Sequence, residues 1–173
     1  MSLSIGLLIL RVVVGLLLAG HGSQKLFGWF GGHGFAGTTG WLKSQGFAPA
    51  WFWTLLGTLG EFVGGLLLVL GLLTPLAAVA IIASMLMAVV RFHWSSGLWS
   101  TQGGYEYPLV LMFVGLAVAL TGPGAYSIDA LINFTLPSLA FWLVLLVAII
   151  VVAIGTISST RQSAKQASGQ KTA

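Results

Sequence analysis

Apolar residues dominate five long stretches of the chain, and polar residues gather between them. The stretches are residues 3–26, 51–73, 76–92, 107–120 and 136–157. A helix needs about 20 mostly apolar residues to cross the hydrocarbon core of a bilayer. The pattern therefore predicts an all-α integral membrane protein with five spanning helices, of which the fourth is short.

The first four stretches are expected to pack as one four-helix bundle. Residues 1–132 form that membrane domain, residues 133–157 an additional C-terminal transmembrane helix, and residues 158–173 a basic tail. The fifth helix is almost entirely apolar, so we expect it to lie at the periphery of the bundle. The tail is rich in Ser, Gln and Lys and has no apolar face, which predicts disorder.

Two segments near the N-terminus could be mistaken for a cleaved signal peptide and for a free loop. The first apolar stretch differs from a cleaved signal peptide because no basic segment precedes it and Arg11 lies inside it, so we expect it to be a retained span. Residues 27–50 combine many glycines with tryptophan and phenylalanine. That mixture is typical of a re-entrant or interfacial segment rather than a free loop.

The composition agrees with a membrane location and excludes several functions. Hydrophobic residues make up 57% of the chain and charged residues only 6%, whereas soluble domains have about 25% charged residues. So few charges leave no basic face for nucleic acid. The absence of cysteine excludes a thiol nucleophile, an iron–sulfur cluster or a dithiol redox pair within the chain. The three histidines share no metal-ligand spacing, so no metal site is expected.

The basic residues predict the orientation in the membrane. Five spans place the termini on opposite sides, here called side A (N-terminal) and side B. Side A receives no lysine or arginine, and side B receives Lys25, Lys43, Arg91, Arg161, Lys165 and Lys171. The positive-inside rule then makes side B cytoplasmic and places the N-terminus outside.

Two charged residues fall inside predicted spans. Arg11 lies in the first and Glu61 near the middle of the second, where each costs about 2.5 to 3.5 kcal/mol to insert. Both share a helical face with small residues, which predicts tight helix–helix seams. These residues are Gly15, Ala19 and Gly22 beside Arg11, and Gly57 and Gly64 beside Glu61. One interpretation is a buried Arg11–Glu61 charge pair that serves structure. The other is a direct role in binding a ligand or handling protons.

A second group of polar residues is predicted at the side B ends of three spans. Its members are His21, Lys25, Arg91, His93, Tyr105 and Glu106. If the helices are antiparallel neighbours, these side chains could line one pocket that binds an anionic or quinone head group and relays protons. The alternative is that Lys25 and Arg91 only reach to lipid phosphates while the aromatic residues form an interfacial belt.

Several short motifs, in this order, resemble the DoxX family of small bacterial membrane proteins. They are Leu10-Arg11, His21-Gly22, Lys25-Leu26-Phe27-Gly28, Glu61 with Gly64-Gly65, Gly104-Tyr105-Glu106-Tyr107-Pro108-Leu109, and Gly122-Pro123-Gly124 with Ser127-Ile128-Asp129. The resemblance covers about residues 4–132 and implies a four-helix membrane bundle in the bacterial cytoplasmic (inner) membrane. Asp129 follows a Gly-Pro-Gly turn and is interpreted as a structural helix cap.

The resemblance implies two kinds of function. The family name comes from the small membrane subunits of thiosulfate:quinone oxidoreductase, and more distant relatives are linked to the assembly of other membrane proteins. The first hypothesis is a quinone-interacting subunit, with no cofactor of its own except a bound quinone and a membrane or peripheral protein partner that supplies the redox centre. Whether such a subunit is itself catalytic stays open. The second hypothesis is a membrane-protein binding or assembly factor, and a small transporter is a weaker third.

Overall fold

The structure is a computed structural model that describes residues 2–170, and all regular structure within that range is helical. Its α-helices are α1 Ser2–Phe27, α2 Gly34–Ser44, α3 Ala50–Leu70, α4 Thr74–Met87, α5 Glu106–Thr121, α6 Ile128–Leu131 and α7 Ser138–Gln170. A π-helical segment, Ala88–His93, continues α4. The prediction of an all-α membrane bundle is confirmed.

The long helices correspond to the predicted spans. Within residues 2–170, four helical segments are long and apolar enough to cross a membrane, namely Ser2–Phe27, Ala50–Leu70, Thr74–Ser96 and Ser138–Gln166. The predicted short span is α5, which has 16 residues. Successive spans run in opposite directions, so α1, α4 and α7 run from side A to side B, and α3 and α5 run back.

Glycines allow α1 and α3 to pack with their backbones in contact. A Cβ atom at Gly15 would lie 2.6 Å from the carbonyl oxygen of Gly65, and one at Gly22 would lie 2.5 Å from the backbone nitrogen of Phe62. No larger residue fits at either position. The small-residue seam predicted beside Arg11 is therefore present, and it sets the register between the two helices.

The small residues near Glu61 behave differently from one another. Gly64 packs against Ala80 of α4, as predicted. Gly57 was expected to pack in the same way, but a Cβ atom there would meet nothing within 4 Å. Gly57 therefore faces open space, which belongs to the cavity described below.

The helix α4 lies at the centre of the bundle and packs against α3, α5 and α7. One apolar core joins Leu18, Leu68, Ile81 and Leu111 from four helices. A second core joins Val79 and Ile82 of α4 to Phe141 and Leu145 of α7. The fifth spanning helix, α7, therefore lies at the periphery against α4, as its uniform apolar surface predicted.

The helix α7 extends beyond the predicted end of the fifth span. The helix continues through residues 158–170, where we expected a disordered tail. The reason is a set of serine contacts: Ser159 is fully buried, and the hydroxyl of Ser163 donates to the carbonyl of Gln45 at 3.0 Å. Residues 171–173, with Lys171, lie outside the described residues.

The glycine-rich segment 27–50 is ordered. Its helix α2 packs against both α1 and α3. The ring of Trp41 on α2 lies 4.7 Å, centroid to centroid, from the ring of Phe92 at the end of α4. The segment therefore covers the side B ends of several helices, consistent with the predicted interfacial element.

Candidate functional site

The carboxylate buried in the bundle is paired with a lysine. The Nζ atom of Lys25 lies 2.5 Å from Oε1 and 2.6 Å from Oε2 of Glu61. Glu61 is only 5% exposed, as predicted for a residue inside the bundle. The predicted partner, Arg11, was wrong.

The direction of helical side chains explains the pairing. Each Cα–Cβ bond in a helix tilts toward the helix N-terminus. Because α1 and α3 are antiparallel and Gly22 faces Phe62, Lys25 tilts toward the bilayer centre while Glu61 tilts toward side B, so their charged groups meet. Arg11 tilts toward side A, and at 1.5 Å per residue it already lies about 16 Å from the Gly22–Phe62 contact.

Arg11 is part of a separate buried arrangement at side A. Its side chain is fully buried, and Nη2 donates to the carbonyl oxygen of Tyr126. The guanidinium lies directly against Gly71, the C-cap of α3, which has a left-handed backbone with φ of 61°. Arg11 therefore joins α1, the end of α3 and the segment after α5.

Asp129 caps a helix, but not the helix that its position in the sequence suggests. Its two oxygens accept hydrogen bonds from the backbone N–H groups of Leu73 and Thr74, both at 2.8 Å. These are the first groups of α4. The short helix that contains Asp129 is instead capped by Ser127, whose hydroxyl accepts from Ala130. The structural interpretation of Asp129 agrees with this arrangement.

The six polar residues predicted to share one pocket are divided among several places. Two of them, Lys25 and His93, line the same cavity. The other four, which are His21, Arg91, Tyr105 and Glu106, do not line it. The expected single cluster is therefore not formed.

Local contacts within the segment after α4 account for two of the four. Glu106 accepts a hydrogen bond from the backbone N–H of Ser100 at 3.0 Å. The ring of Tyr105 stacks on Trp94, with centroids 5.3 Å apart. Both residues therefore organise the loop that leads into α5.

His21 and Arg91 bind other partners. The Nε2 atom of His21 lies 3.2 Å from the hydroxyl of Tyr107 on α5. Arg91 donates from Nε to the hydroxyl of Ser159 on α7 at 2.8 Å. The first contact joins α1 to α5, and the second joins the end of α4 to α7.

A cavity lies between α3, α4 and α7. Its volume is about 920 Å³, at the upper end of the range for small-molecule sites, and its walls are mostly apolar. The polar residues on its walls are Lys25, Thr38, Thr54, Thr58, Glu61, Ser84 and His93. The Lys25–Glu61 ion pair is thus a polar centre inside an apolar space.

The sequence offered little sign of this cavity. It depends on how α7 lies against α4, and a uniformly apolar helix carries no signal of which residues face its neighbour. The unpacked Gly57 and the two threonines at i and i+4 on α3, Thr54 and Thr58, were the available hints. Their hydroxyls bond to backbone carbonyls of the same helix, at Ala50 and Thr54.

The fold and site define a small helical membrane protein with a buried carboxylate paired to a lysine and a cavity among its spans. The family model of DoxX matches residues 6–94, which include most of α1, all of α2, α3 and α4, and both partners of the ion pair. A curated relative, "Inner membrane protein YqjF" of Escherichia coli (strain K12), is 32% identical over 131 residues, covering 75% of this chain and 93% of the relative. The chain belongs to the DoxX family. No solved structure matches it significantly.

Proposed function

We propose that this protein is a quinone-interacting subunit of a membrane oxidoreductase complex. The observation that carries the proposal is the Lys25–Glu61 pair inside an apolar cavity of about 920 Å³. A membrane quinone has a polar head and a long apolar tail. The pair would bind the head, and the apolar walls of α3, α4 and α7 would bind the tail.

The charges in the cavity favour a neutral head group. Lys25 and Glu61 neutralise each other, so an anionic head group would meet a carboxylate as well as an ammonium. An ammonium has three N–H donors. Lys25 donates to the two oxygens of Glu61, which leaves one donor for a quinone carbonyl.

Lys25 and Glu61 also differ in how far their side chains are exposed on the protein surface. The side chain of Lys25 is 41% exposed and that of Glu61 only 7%. Reduction of a quinone to a quinol takes up two electrons and two protons. The pair would pass protons from side B to the head group. The electrons would come from a partner subunit, since the chain has no cysteine for an iron–sulfur cluster or a dithiol pair.

The protein is a multi-pass protein of the bacterial inner membrane, the membrane for which its Escherichia coli relative is named. We also propose that side B is cytoplasmic, because the basic residues outside the spans lie on that side. Lys43, Arg161 and Lys165 are exposed on that side, in keeping with contact with water and lipid head groups. Proton uptake through Lys25 would then be cytoplasmic.

Quinone titration of the purified protein in lipid nanodiscs tests the proposal. We expect Glu61→Gln to weaken binding about tenfold, because it removes the charge that positions the Lys25 ammonium. The matched control is Glu106→Gln, which makes the same change outside the cavity and should alter affinity less than about twofold. Equal affinities in wild type and Glu61→Gln would contradict the site.

A wild-type protein that binds no quinone would contradict the function itself. Crosslinking in native membranes then distinguishes a binding or assembly factor from a subunit of one redox complex. Recovery of a varied set of unrelated membrane proteins would favour the binding or assembly factor. Recovery of one stable redox partner would favour the subunit.

A further inference from the structure

The helix α7 forms one wall of the cavity. Ala148, Val151 and Val152 of α7 line it opposite residues of α3 such as Leu55 and Leu59. All three α7 residues are small or β-branched and apolar. The matched family segment ends at residue 94, so this wall comes from a part of the chain outside that match.

Polar contacts hold α7 at side B. The Nη2 atom of Arg91 donates to the carbonyl of Gln45 at 2.5 Å, while Nε of the same guanidinium donates to Ser159 at 2.8 Å. Ser163 donates to that same carbonyl. One arginine thus ties α7 to both the end of α4 and the segment before α3.

Close packing adds to these hydrogen bonds. Gly155 of α7 lies so near Trp53 that a Cβ atom there would be 2.7 Å from its ring, and Met87 is almost as near. Backbone atoms of Ser159 likewise contact Gly46. The position of α7 along the cavity is therefore set by several independent contacts, and its lining residues have defined places.

We infer that α7 determines which apolar tails the cavity accepts, with Val151 and its neighbours as specificity-determining residues. This inference rests on the proposed quinone site. The head group meets the ion pair on α1 and α3, whereas α7 contributes only apolar atoms to the lining. A change on α7 should therefore affect recognition of the tail and leave recognition of the head unchanged.

Paired titrations with two ubiquinones test the inference in full-length protein in nanodiscs. One ubiquinone carries eight isoprene units and the other carries one. Val151→Phe places a ring in the cavity and should weaken binding of the long-tailed ubiquinone about tenfold, with a change under about twofold for the short one. The matched control is Ile150→Phe, whose position is 48% exposed and does not line the cavity, and it should bind both as wild type does.

A milder variant guards against a folding defect. Val151→Ala removes apolar contact without adding volume, and it should weaken binding of the long-tailed ubiquinone a few-fold while short-tailed binding stays constant. Equal losses for both ubiquinones, or identical behaviour of Val151→Phe and Ile150→Phe, would overturn the role of α7. Failure of the wild type to bind either ubiquinone would instead overturn the proposed function.

Discussion

The guanidinium of Arg11 lies against the α-carbon of Gly71, in space that a side chain would need. Gly71 also has a left-handed φ of 61°, which residues with a Cβ rarely adopt. The buried position of Arg11 thus requires a glycine at the end of α3. Gly71 is needed both to leave space for the guanidinium and to adopt the left-handed backbone.

We therefore expect Gly71→Ala to lower the free energy of unfolding by about 2 to 4 kcal/mol, because the methyl group displaces Arg11 and strains the backbone. Thermal unfolding in detergent measures the change. The control is Gly6→Ala on α1, where a Cβ atom meets nothing within 4 Å, and it should be neutral or slightly stabilising. Similar stability of the two variants would contradict the tight contact.

The Lys25–Glu61 pair predicts a non-additive pattern of stability. Lys25→Met leaves a buried carboxylate without its partner and should cost roughly 3 kcal/mol. Adding Glu61→Leu should restore part of the loss, because the unpaired charge is removed. Thermal unfolding of wild type, both single variants and the double variant gives the double-mutant cycle that measures this coupling. A double variant less stable than Lys25→Met would show that the pair is not the dominant interaction.

Asp129 and Ser127 cap different helices and should differ in their effect on stability. Asp129→Ala leaves two backbone N–H groups of α4 without their acceptor in a buried place, which should cost about 2 to 3 kcal/mol. Ser127→Ala removes the cap of a four-residue helix and should cost about 1 kcal/mol. Chemical denaturation in detergent would rank the two, and the reverse order would contradict the assignment of the α4 cap.

The contacts of Arg91 predict a local change in α7. The double variant Ser159→Ala/Ser163→Ala should increase amide hydrogen exchange at the side B end of α7, with little change near Leu145. The control is Ser158→Ala, since the hydroxyl of Ser158 donates to the carbonyl of Gly155 within its own helix. Hydrogen exchange read by mass spectrometry gives the comparison, and unchanged protection in the double variant would argue against the attachment.

The orientation can be tested cleanly because the chain has no cysteine. Ser44 and Ala125 are both exposed, at sides B and A respectively. With side B in the cytoplasm, Ala125→Cys should react with a membrane-impermeant maleimide in intact spheroplasts. Ser44→Cys should react only after permeabilisation. The opposite result would invert the topology.

The elements of the fold were predictable because membrane solvation imposes a strong pattern on the sequence. Long apolar stretches predicted the spans, and the small residues on the Arg11 face predicted a tight helix–helix seam, which the structure places between α1 and α3. The prediction of disorder was wrong for residues 158–170, because a polar sequence can still form a helix when buried serines such as Ser159 bind a neighbour.

The site was harder to predict because it depends on side-chain direction and on register. Helical depth alone placed Arg11 and Glu61 within reach of each other, but the tilt of their side chains in antiparallel helices separates them. Helical position was also not enough at side B. His21 and Glu106 both lie at the side B ends of their helices, yet His21 contacts Tyr107 while Glu106 accepts from Ser100. Only the packed arrangement shows which of these groups share a space.

Membrane potential does almost no net work on the Lys25–Glu61 pair. Moving one charge across the whole bilayer is worth about 2.3 kcal/mol per 100 mV, but two opposite charges in contact 2.6 Å apart span only a small fraction of that field. A neutral quinone adds no charge of its own. If the cavity binds a neutral quinone as proposed, its occupancy should therefore be the same in energised and de-energised membranes, and it should follow the size of the quinone pool rather than the voltage.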